Sequence, residues 1–295
     1  MPSVVLDIPV GLDLRRTLAP LAHGSGDPTI RFAADGTWRA TRTDSGSATL
    51  HLIAATGKVT AEAWGAGADD LLAQLPALLG LEDDPQQLVP RHPVVRELAR
   101  RFAGVRLPRT RRRFEALLPA IIEQKVTGVE ARRAYRELIR RYGETAPGPA
   151  HLRLPPEPVT LAGLPYHSYH PLGLERRRAD VIRHAAALAP RLEAAESNDA
   201  RRLLAAIPGI GPWTIAEVLR VADGDPDAIS VGDFHLPHLV GWALAREPRA
   251  DDRRMLELLE PYRGQRARVQ RLLELSGVAA PRRGPRMAPR HIASQ

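Results

Sequence analysis

The stretch LLAAIPGIGPWTIAEV, residues 203–218, constrains the fold more than any other part of the sequence. Apolar residues at helical spacing lie on both sides of a Pro-Gly-Ile-Gly-Pro segment, which a helix cannot contain without interruption. The stretch therefore predicts two helices joined by a tight hairpin. We expect Gly209 and Gly211 to supply positive φ angles and to let another molecule approach closely. Pro212 suits the first position of the second helix, where a missing N–H has no consequence.

The backbone of this hairpin is a candidate anion site. The N–H groups of residues 209–214 are predicted to point outward at a helix N-terminus, an arrangement that binds phosphate. A formal net charge of +8 favours nucleic acid as the source of that phosphate, with an anionic membrane surface as the alternative. We accordingly predict that Gly209, Ile210, Gly211 and Thr214 contact a DNA or RNA backbone. A plain corner in a helical bundle is the other interpretation of the same glycines.

Composition excludes several classes of site. The 295 residues contain no cysteine, which excludes a disulfide framework, a thiolate zinc site and a cysteine-ligated iron–sulfur cluster. No signal peptide or long apolar run is present, so we expect a cytoplasmic protein that does not enter a membrane. Lysine occurs only at Lys58 and Lys125, so 40 of the 42 basic residues are arginine. No cofactor is predicted from these features.

The periodicity changes once along the chain. Before Leu88, short alternating runs are joined at Asp35-Gly36 and Thr56-Gly57, which are turn signals of antiparallel hairpins. These runs and the helical patterns beside them predict a small α/β domain with an antiparallel sheet plus helices. From Val94 onward nearly every periodic segment has helical spacing. We therefore predict an α+β protein overall, with an N-terminal α/β domain and an all-α remainder.

The hairpin and the residues after it carry a resemblance. IPGIGPWTIAEV followed by AISVGDFHL resembles the helix-hairpin-helix/GPD superfamily of base-excision DNA glycosylases, and in particular the bacterial 3-methyladenine DNA glycosylase II branch. The resemblance extends over nearly the whole chain. FEALLPAIIEQKVTGVEARR is similar to the first helices of that core, and HPLGLERRRADVIRHAA to the segment leading into the hairpin.

The resemblance implies a domain arrangement. It predicts a two-lobed all-α helix-hairpin-helix glycosylase core after the N-terminal domain. The predicted boundaries are 1–88 for the N-terminal domain, 113–230 for the lobe carrying the hairpin, 89–112 with 231–280 for the second lobe, and 281–295 for a disordered basic tail. The implied partner is double-stranded DNA, bound by a monomer.

Asp233 is the candidate catalytic residue, because the resemblance places an aspartate just after the second hairpin helix and a loop. Hydrolysis of the bond between a base and deoxyribose passes through a cationic state at the sugar. A carboxylate can stabilise that charge or accept a proton from the attacking water. Asp233 also precedes a helical stretch, so it is equally a candidate N-cap. The two roles are compatible.

Trp213 occupies the position that separates reaction types in this family. Bifunctional members carry a lysine there, two residues after the second hairpin glycine, which forms a Schiff base and cuts the strand. With tryptophan at this position, the resemblance predicts a glycosylase without lyase activity. The electron-rich face of Trp213 suits a cationic alkylated purine. A tryptophan packed in the core is the alternative.

Other candidate residues surround the same site. Gln124 matches a glutamine common in this loop of the family and is assigned to the base pocket. Lys125 stands where a relative carries an apolar wedge, so we assign it to the gap left by the flipped base, in contact with the orphan base or with phosphate. Tyr166, Tyr169 and Phe234 are candidate pocket aromatics, with ordinary packing as the alternative for each.

Three further features are given simpler interpretations. Glu123 is interpreted as a solvated helix residue, and the arginine runs RTRRR and ERRRAD as solvated faces of which some follow DNA. Asp233, His235 and His238 are spaced so that they do not share one helical face, so no catalytic metal is predicted. The resemblance implies only a monovalent cation that bridges hairpin carbonyls and phosphate.

These observations predict a monofunctional DNA glycosylase acting on alkylated, 3-methyladenine-type purines in duplex DNA and leaving an abasic site. One alternative is a glycosylase for oxidised or deaminated purines. Another is a non-catalytic DNA-binding protein that uses the hairpin alone. We expect the protein in the cytoplasm, associated with the bacterial nucleoid.

Overall fold

The computed structural model describes residues 1–281. The predicted basic tail therefore lies, after its first residue, outside the described residues. Within residues 1–281, no helix has both the length and the apolar character needed to cross a membrane.

The N-terminal part of the chain forms one antiparallel sheet in the spatial order β1-β5-β4-β3-β2. The strands are β1 Ser3–Asp7, β2 Ile30–Ala33, β3 Gly36–Thr43, β4 Gly46–Ala55 and β5 Lys58–Trp64. Ala33 pairs with Gly36, and Ala55 pairs with Lys58. The two hairpins predicted from Asp35-Gly36 and Thr56-Gly57 are therefore confirmed, and Gly57 at the second turn has a φ of +72°.

Most of the other regular elements of the described chain are helices. Three short helices lie in the N-terminal part: α1 Leu14–Leu18, α2 Ala68–Ala73 and α3 Leu75–Leu78. The α-helices that follow in the described chain are α4 Pro93–Arg101, α5 Arg113–Ile122, α6 Gly128–Tyr142, α7 Pro158–Gly163, α8 Tyr166–Tyr169, α9 Arg176–Ala194, α10 Ser197–Ala206, α11 Pro212–Val218, α12 Leu236–Ala245, α13 Asp252–Leu259 and α14 Arg266–Ser276. The predicted mixture of helix and sheet is confirmed.

Apolar side chains gather into three large clusters. The first packs β4 and β5 against α1, α2 and α3. The second joins α5, α6, α9 and α11 around Leu117, Ile121, Leu138 and Ile182, all of which are fully buried. The third, called here the split core, draws residues between Leu88 and Val105 together with residues between Ile229 and Leu273. The hairpin and the loop after it thus lie between the second cluster and the split core.

The far face of the sheet is covered by an irregular segment. Trp38 and Ala40 pack against Ala146, Ala150, Leu152 and Leu154. This segment belongs to a region of Pro, Gly and His residues that the sequence predicts as a long loop, and the structure places α7 and α8 at its end. Burial of its leucines against the sheet explains why a stretch without periodicity is nevertheless packed.

Candidate functional site

The two glycines of the hairpin have different conformations. Gly209 has a φ of +94°, and a Cβ at this position would lie 2.5 Å from Cγ2 of Val181. Gly211 has a φ of −108° and a ψ of 178°, which is extended backbone, and a Cβ built on it meets no atom within 4 Å. The expectation of positive φ is therefore correct for Gly209 and wrong for Gly211. Gly211 instead leaves open space in front of α11.

The hairpin presents several amides without an internal acceptor. Within residues 1–281, the N–H groups of Gly209, Gly211, Trp213 and Thr214 have no hydrogen-bond acceptor. Gly209 is exposed and Gly211 is half-buried. The helical path that starts at Pro212 continues through a π-turn to Asp223. Unpaired amides at the start of such a helical run form a binding site for an anion.

One of the predicted backbone contacts, that of Ile210, needs correction. The N–H of Ile210 donates to the Ile207 carbonyl over 3.0 Å, and the Ile210 side chain is buried in the second cluster. Ile210 therefore holds the hairpin in place and has no amide to offer. The Thr214 hydroxyl accepts a hydrogen bond from Gln124 and the residue is 2% exposed. Only its backbone amide remains for a ligand.

Gln124 joins the turn after α5 to the hairpin. Its Nε2 donates to the Gly209 carbonyl over 3.1 Å and to the Thr214 hydroxyl over 2.9 Å. The side-chain amide nitrogen, which was predicted to face a base, is thus bonded to the hairpin through one backbone carbonyl and one hydroxyl. Lys125 follows with a left-handed φ of +55° and is exposed.

Arg178 holds the same turn from beneath and was missed by the sequence reasoning. Its guanidinium donates to the carbonyls of Ile122, over 2.7 Å, and Gly173, over 3.1 Å, and it pairs with Glu175. Arg178 is 3% exposed, so the interpretation of the run ERRRAD as a solvated face is wrong at this position. A signal was present: Arg178 precedes Ile182 by four residues, which places it on the apolar face of α9.

Asp233 receives three hydrogen bonds. Its Oδ1 accepts from the backbone N–H groups of His235, over 2.7 Å, and Leu236, over 2.8 Å. Its Oδ2 accepts from the indole Nε1–H of Trp213 over 3.1 Å. Asp233 therefore accepts from two amides at the start of α12, but the N-cap residue of that helix is His235, so the N-cap alternative is wrong by two residues. Its second oxygen lies beside Trp213, and the residue is half-buried, not packed away.

The candidate aromatics are in different environments. Phe234 is 80% exposed and meets His235 edge-on, with ring centroids 4.9 Å apart. Tyr166 is half-buried and lies beneath the guanidinium of Arg176. Tyr169 is fully buried, and its hydroxyl donates to the Leu161 carbonyl over 2.6 Å. Its assignment to the base pocket is therefore wrong, since it belongs to the second cluster.

A cavity lies apart from the Trp213–Asp233 contact. Pro20, His23, Glu115, Tyr135 and Glu217 are among the residues that line it, together with Glu123. Glu123 approaches His23 to 3.7 Å and is 40% exposed, so it is less solvated than expected. Neither Trp213 nor Asp233 lines this cavity. Across residues 1–281, no three His, Asp or Glu side chains are grouped to hold a metal ion.

No protein-family model matches the chain, but curated proteins and solved structures do. Two Mycobacterium tuberculosis proteins, from strains CDC 1551 and H37Rv, are each 30% identical to it over 170 residues, which is 54% of this chain and 34% of theirs. Both are described as a probable bifunctional transcriptional activator/DNA repair enzyme AlkA. The chain thus spans about a third of the length of these curated relatives.

Solved structures match over a larger share of the chain. A 3-methyladenine DNA glycosylase from Archaeoglobus fulgidus has a TM-score of 0.76 at 19% identity, covering 92% of this chain and 97% of that protein. An 8-oxoguanine glycosylase/lyase from Clostridium acetobutylicum has a TM-score of 0.71 at 12% identity, covering 93% and 96%. Mag1, a 3-methyladenine DNA glycosylase from Schizosaccharomyces pombe in complex with abasic DNA, has a TM-score of 0.52 at 17% identity, covering 68% and 98%. The resemblance drawn from the hairpin sequence is confirmed, and the likeness establishes a shared fold.

Proposed function

We propose that this chain, whose fold is that of the helix-hairpin-helix DNA glycosylases, is itself a DNA glycosylase that releases alkylated purines from duplex DNA. The observation that carries the proposal is the contact between Trp213 and Asp233. It brings a flat aromatic ring and a carboxylate together directly beside a hairpin with unpaired amides. These are the three groups that the reaction requires: a surface for the base, a negative charge for the sugar and a grip on the strand.

The hairpin would hold the phosphate backbone next to the damaged nucleotide. The free amides of Gly209, Gly211 and Thr214 can donate to phosphate oxygens without moving. Contacts of this kind do not depend on base sequence, and affinity should fall as salt rises. We place double-stranded DNA as the partner of a monomeric protein, acting in the cytoplasm at the nucleoid.

Asp233 would act on the sugar. As the bond to the base lengthens, positive charge develops at C1′, and a carboxylate fixed nearby stabilises it. Two backbone donors and one indole donor hold both oxygens of Asp233, so little reorientation is needed during the reaction. The same carboxylate can accept the proton of the attacking water.

Trp213 would bind the extruded base through its ring face. Its indole N–H is already donated to Asp233, which leaves the face for stacking. An electron-rich face attracts a cationic ring, so methylated purines with a positive charge are favoured over neutral ones. Such a base is also a good leaving group, which agrees with a site built around one carboxylate. Phe234, exposed next to Asp233, and Tyr166 are proposed as further pocket aromatics.

We propose that the enzyme has no lyase activity. The position that would carry a Schiff-base lysine is Trp213, and the only lysines are Lys58 on β5 and Lys125 on the exposed turn. Lys125 is instead proposed to fill the gap in the duplex or contact the orphan base. Its left-handed backbone projects it from the turn that Gln124 fastens to the hairpin.

The domain arrangement is also proposed. The second cluster and the split core correspond to two helical lobes, at 113–230 and at 89–112 with 231–280, after an N-terminal domain at 1–88. The Trp213–Asp233 contact would then lie where the lobes meet.

For a monovalent cation at the hairpin, the carbonyls of Ile207 and Gly209 fit, since each accepts one hydrogen bond and keeps a second lone pair.

The test is release of base from defined duplexes. Methylated duplex DNA is incubated with the protein and then treated with alkali, which cuts at abasic sites. We expect cleavage only after alkali, and more of it than on matched hypoxanthine or 8-oxoguanine duplexes. Faster reaction on either of those would assign the enzyme to deaminated or oxidised purines. Binding without base release on any duplex would leave a DNA-binding protein, and cleavage before alkali would overturn the absence of lyase activity.

A further inference from the structure

We propose that Ser230 and Glu217 form a positioning pair that fixes Asp233 relative to the hairpin. The proposal rests on the proposed function, because it concerns how the candidate catalytic carboxylate is held. Neither residue has a signal in the sequence, and neither is predicted to touch DNA. Their role follows from where the loop before α12 is attached.

Ser230 is fully buried and uses every polar atom it has. Its hydroxyl donates to Oε1 of Glu217 over 2.6 Å and accepts from Nε2 of Gln270 over 3.2 Å. Its N–H donates to Oε1 of Gln270 over 3.3 Å, and its carbonyl accepts the N–H of Asp233 over 3.3 Å. Ser230 therefore anchors the loop, since it is bonded to Glu217 on α11 and to Gln270 on α14.

Helix α11 consequently holds the loop at two points. Glu217 follows Trp213 by four residues, which places it about 6 Å further along the same face of the helix. Trp213 binds the side chain of Asp233, and Glu217 binds the side chain of Ser230. One contact alone would allow the loop to pivot about it. Because Ser230 and Asp233 are three residues apart on the loop, the two contacts together set both the position and the direction of the Asp233 carboxylate.

Glu217 is itself held rigidly. Burial raises the pKa of Glu217, whereas the charge of Arg220 and the hydrogen bond from the Ser230 hydroxyl lower it. Arg220 donates to Oε2 of Glu217 over 2.6 Å and to Glu274 over 3.1 Å. Gln270 closes the ring of contacts by donating to Glu274 over 2.8 Å. With both oxygens of Glu217 engaged, the carboxylate cannot rotate away from Ser230 without breaking a bond to Arg220.

The functional consequence is geometric. The hairpin that binds the strand begins α11, and the same helix positions Asp233. The distance from the held phosphate to the carboxylate is therefore set within one rigid element. Displacement of a reacting group by about 1 Å can reduce a rate by about 100-fold. Loss of the Glu217–Ser230 contact should therefore slow base release and leave DNA binding unchanged.

Ser230→Ala removes the Glu217–Ser230 contact and leaves the Trp213–Asp233 contact in place. We expect a single-turnover rate of base release about 10- to 100-fold lower than wild type, with the Kd for abasic duplex DNA changed less than about twofold. We also expect the Nε1–H NMR resonance of Trp213, assigned by its loss in Trp213→Phe, to move. Thr41→Val is the matched control, because Thr41 also donates a buried hydroxyl to a carboxylate, Oε2 of Glu115, over 2.5 Å. It should lower the free energy of unfolding by a similar amount and change neither the rate nor the resonance.

Glu217 provides the conservative rescue. Glu217→Gln keeps a bond to Ser230 in either amide orientation, because a hydroxyl can donate or accept, so its rate should stay within about threefold of wild type. Glu217→Leu should match Ser230→Ala. The proposal is overturned if Ser230→Ala releases base at the wild-type rate, or if its Trp213 resonance is unmoved. Failure of the proposed function is a separate result, namely wild-type protein that releases no base, and the resonance still tests the positioning in that case.

Discussion

The indole Nε1–H of Trp213 donates to Oδ2 of Asp233 over 3.1 Å, across twenty residues of sequence. Trp213 is in the first turn of α11, which packs in the second cluster. Asp233 accepts from the N–H of Leu236 at the start of α12, and Leu236 and Val240 belong to the split core. This hydrogen bond therefore links two separately packed groups of helices at the point where the hairpin presents its free amides.

Asp233→Asn is expected to lower the rate of base release by about 100- to 1,000-fold, because it removes the negative charge that we propose stabilises the sugar cation. The amide oxygen can still accept from His235 and Leu236, so these two bonds at the start of α12 should remain. Affinity for duplex DNA should change little. Asp251→Asn is the control, since Asp251 caps α13 through the N–H of Arg254. Rates are measured by abasic-site formation, and equal rates for Asp233→Asn and wild type would exclude a catalytic role.

Gly209→Ala and Gly211→Ala are expected to separate folding from DNA binding. At Gly209, positive φ and the approach to Val181 should lower the free energy of unfolding by about 2 kcal/mol or more. At Gly211, the extended backbone and open space should leave stability within about 0.5 kcal/mol of wild type. Its new methyl group would stand where a phosphate is proposed, so DNA affinity should fall about tenfold. Urea unfolding and fluorescence anisotropy measure the two effects, and wild-type affinity in Gly211→Ala would move the phosphate elsewhere.

Arg178→Met is expected to lower the free energy of unfolding by about 2–4 kcal/mol, because two carbonyls lose charged donors. The turn carrying Gln124 and Lys125 should loosen, and base release should slow. Arg177→Met, at the exposed neighbouring position, is the control and should change stability by less than about 0.5 kcal/mol. Equal urea midpoints for the two variants would contradict the role assigned to Arg178.

Asp227→Asn should reveal a pH-dependent contribution to stability. Burial alone would raise the pKa of Asp227, but hydrogen bonds from the side chain and backbone of Arg266, and its charge, hold that pKa below its usual value. A lowered pKa in the folded state stabilises the protein above the unfolded-state pKa, near 4, and this contribution is lost as pH falls through the folded pKa. We expect a deficit of about 1–2 kcal/mol at pH 7, reduced for partial exposure.

That deficit should shrink steadily below about pH 4, because Asp227 is protonated first in the unfolded state and, at lower pH, in the folded state as well. Urea unfolding of wild type and Asp227→Asn at pH 7, 4 and 3 measures it. Asp199→Asn removes an exposed pair with Arg202 and should show no deficit at any of these pH values. A deficit for Asp227→Asn that stays constant with pH would show that ionisation of Asp227 is not its cause.

The hairpin, the strands and the helical remainder could be predicted because each depends on local chemistry. Asp35-Gly36 and Thr56-Gly57 favour tight turns whatever surrounds them, and a Pro-Gly-Ile-Gly-Pro segment ends a helix in any protein. The asymmetry between Gly209 and Gly211 could not be predicted. It arises because Val181, on a helix distant in sequence, lies against only one of the two glycines.

The sequence predicted which residues belong to the candidate site better than it predicted the hydrogen bonds between them. The residues Asp233 and Trp213 follow from the family resemblance, but their mutual hydrogen bond depends on how two clusters pack. Tyr169 was misassigned because a buried and an exposed tyrosine cannot be told apart within an irregular segment. Ser230 and Glu217 carry no local signal, since their importance comes from a contact over thirteen residues.

The split core has a consequence for synthesis of the chain. Its first part, from Leu88 to Val105, must wait for residues from Ile229 onward before it can be covered. On the ribosome, that apolar strip stays uncovered while more than a hundred further residues are made, although the sheet and the second cluster can already assemble. Nascent chains halted before residue 229 should therefore engage chaperones through α4, and they should release them once α12 and α14 emerge.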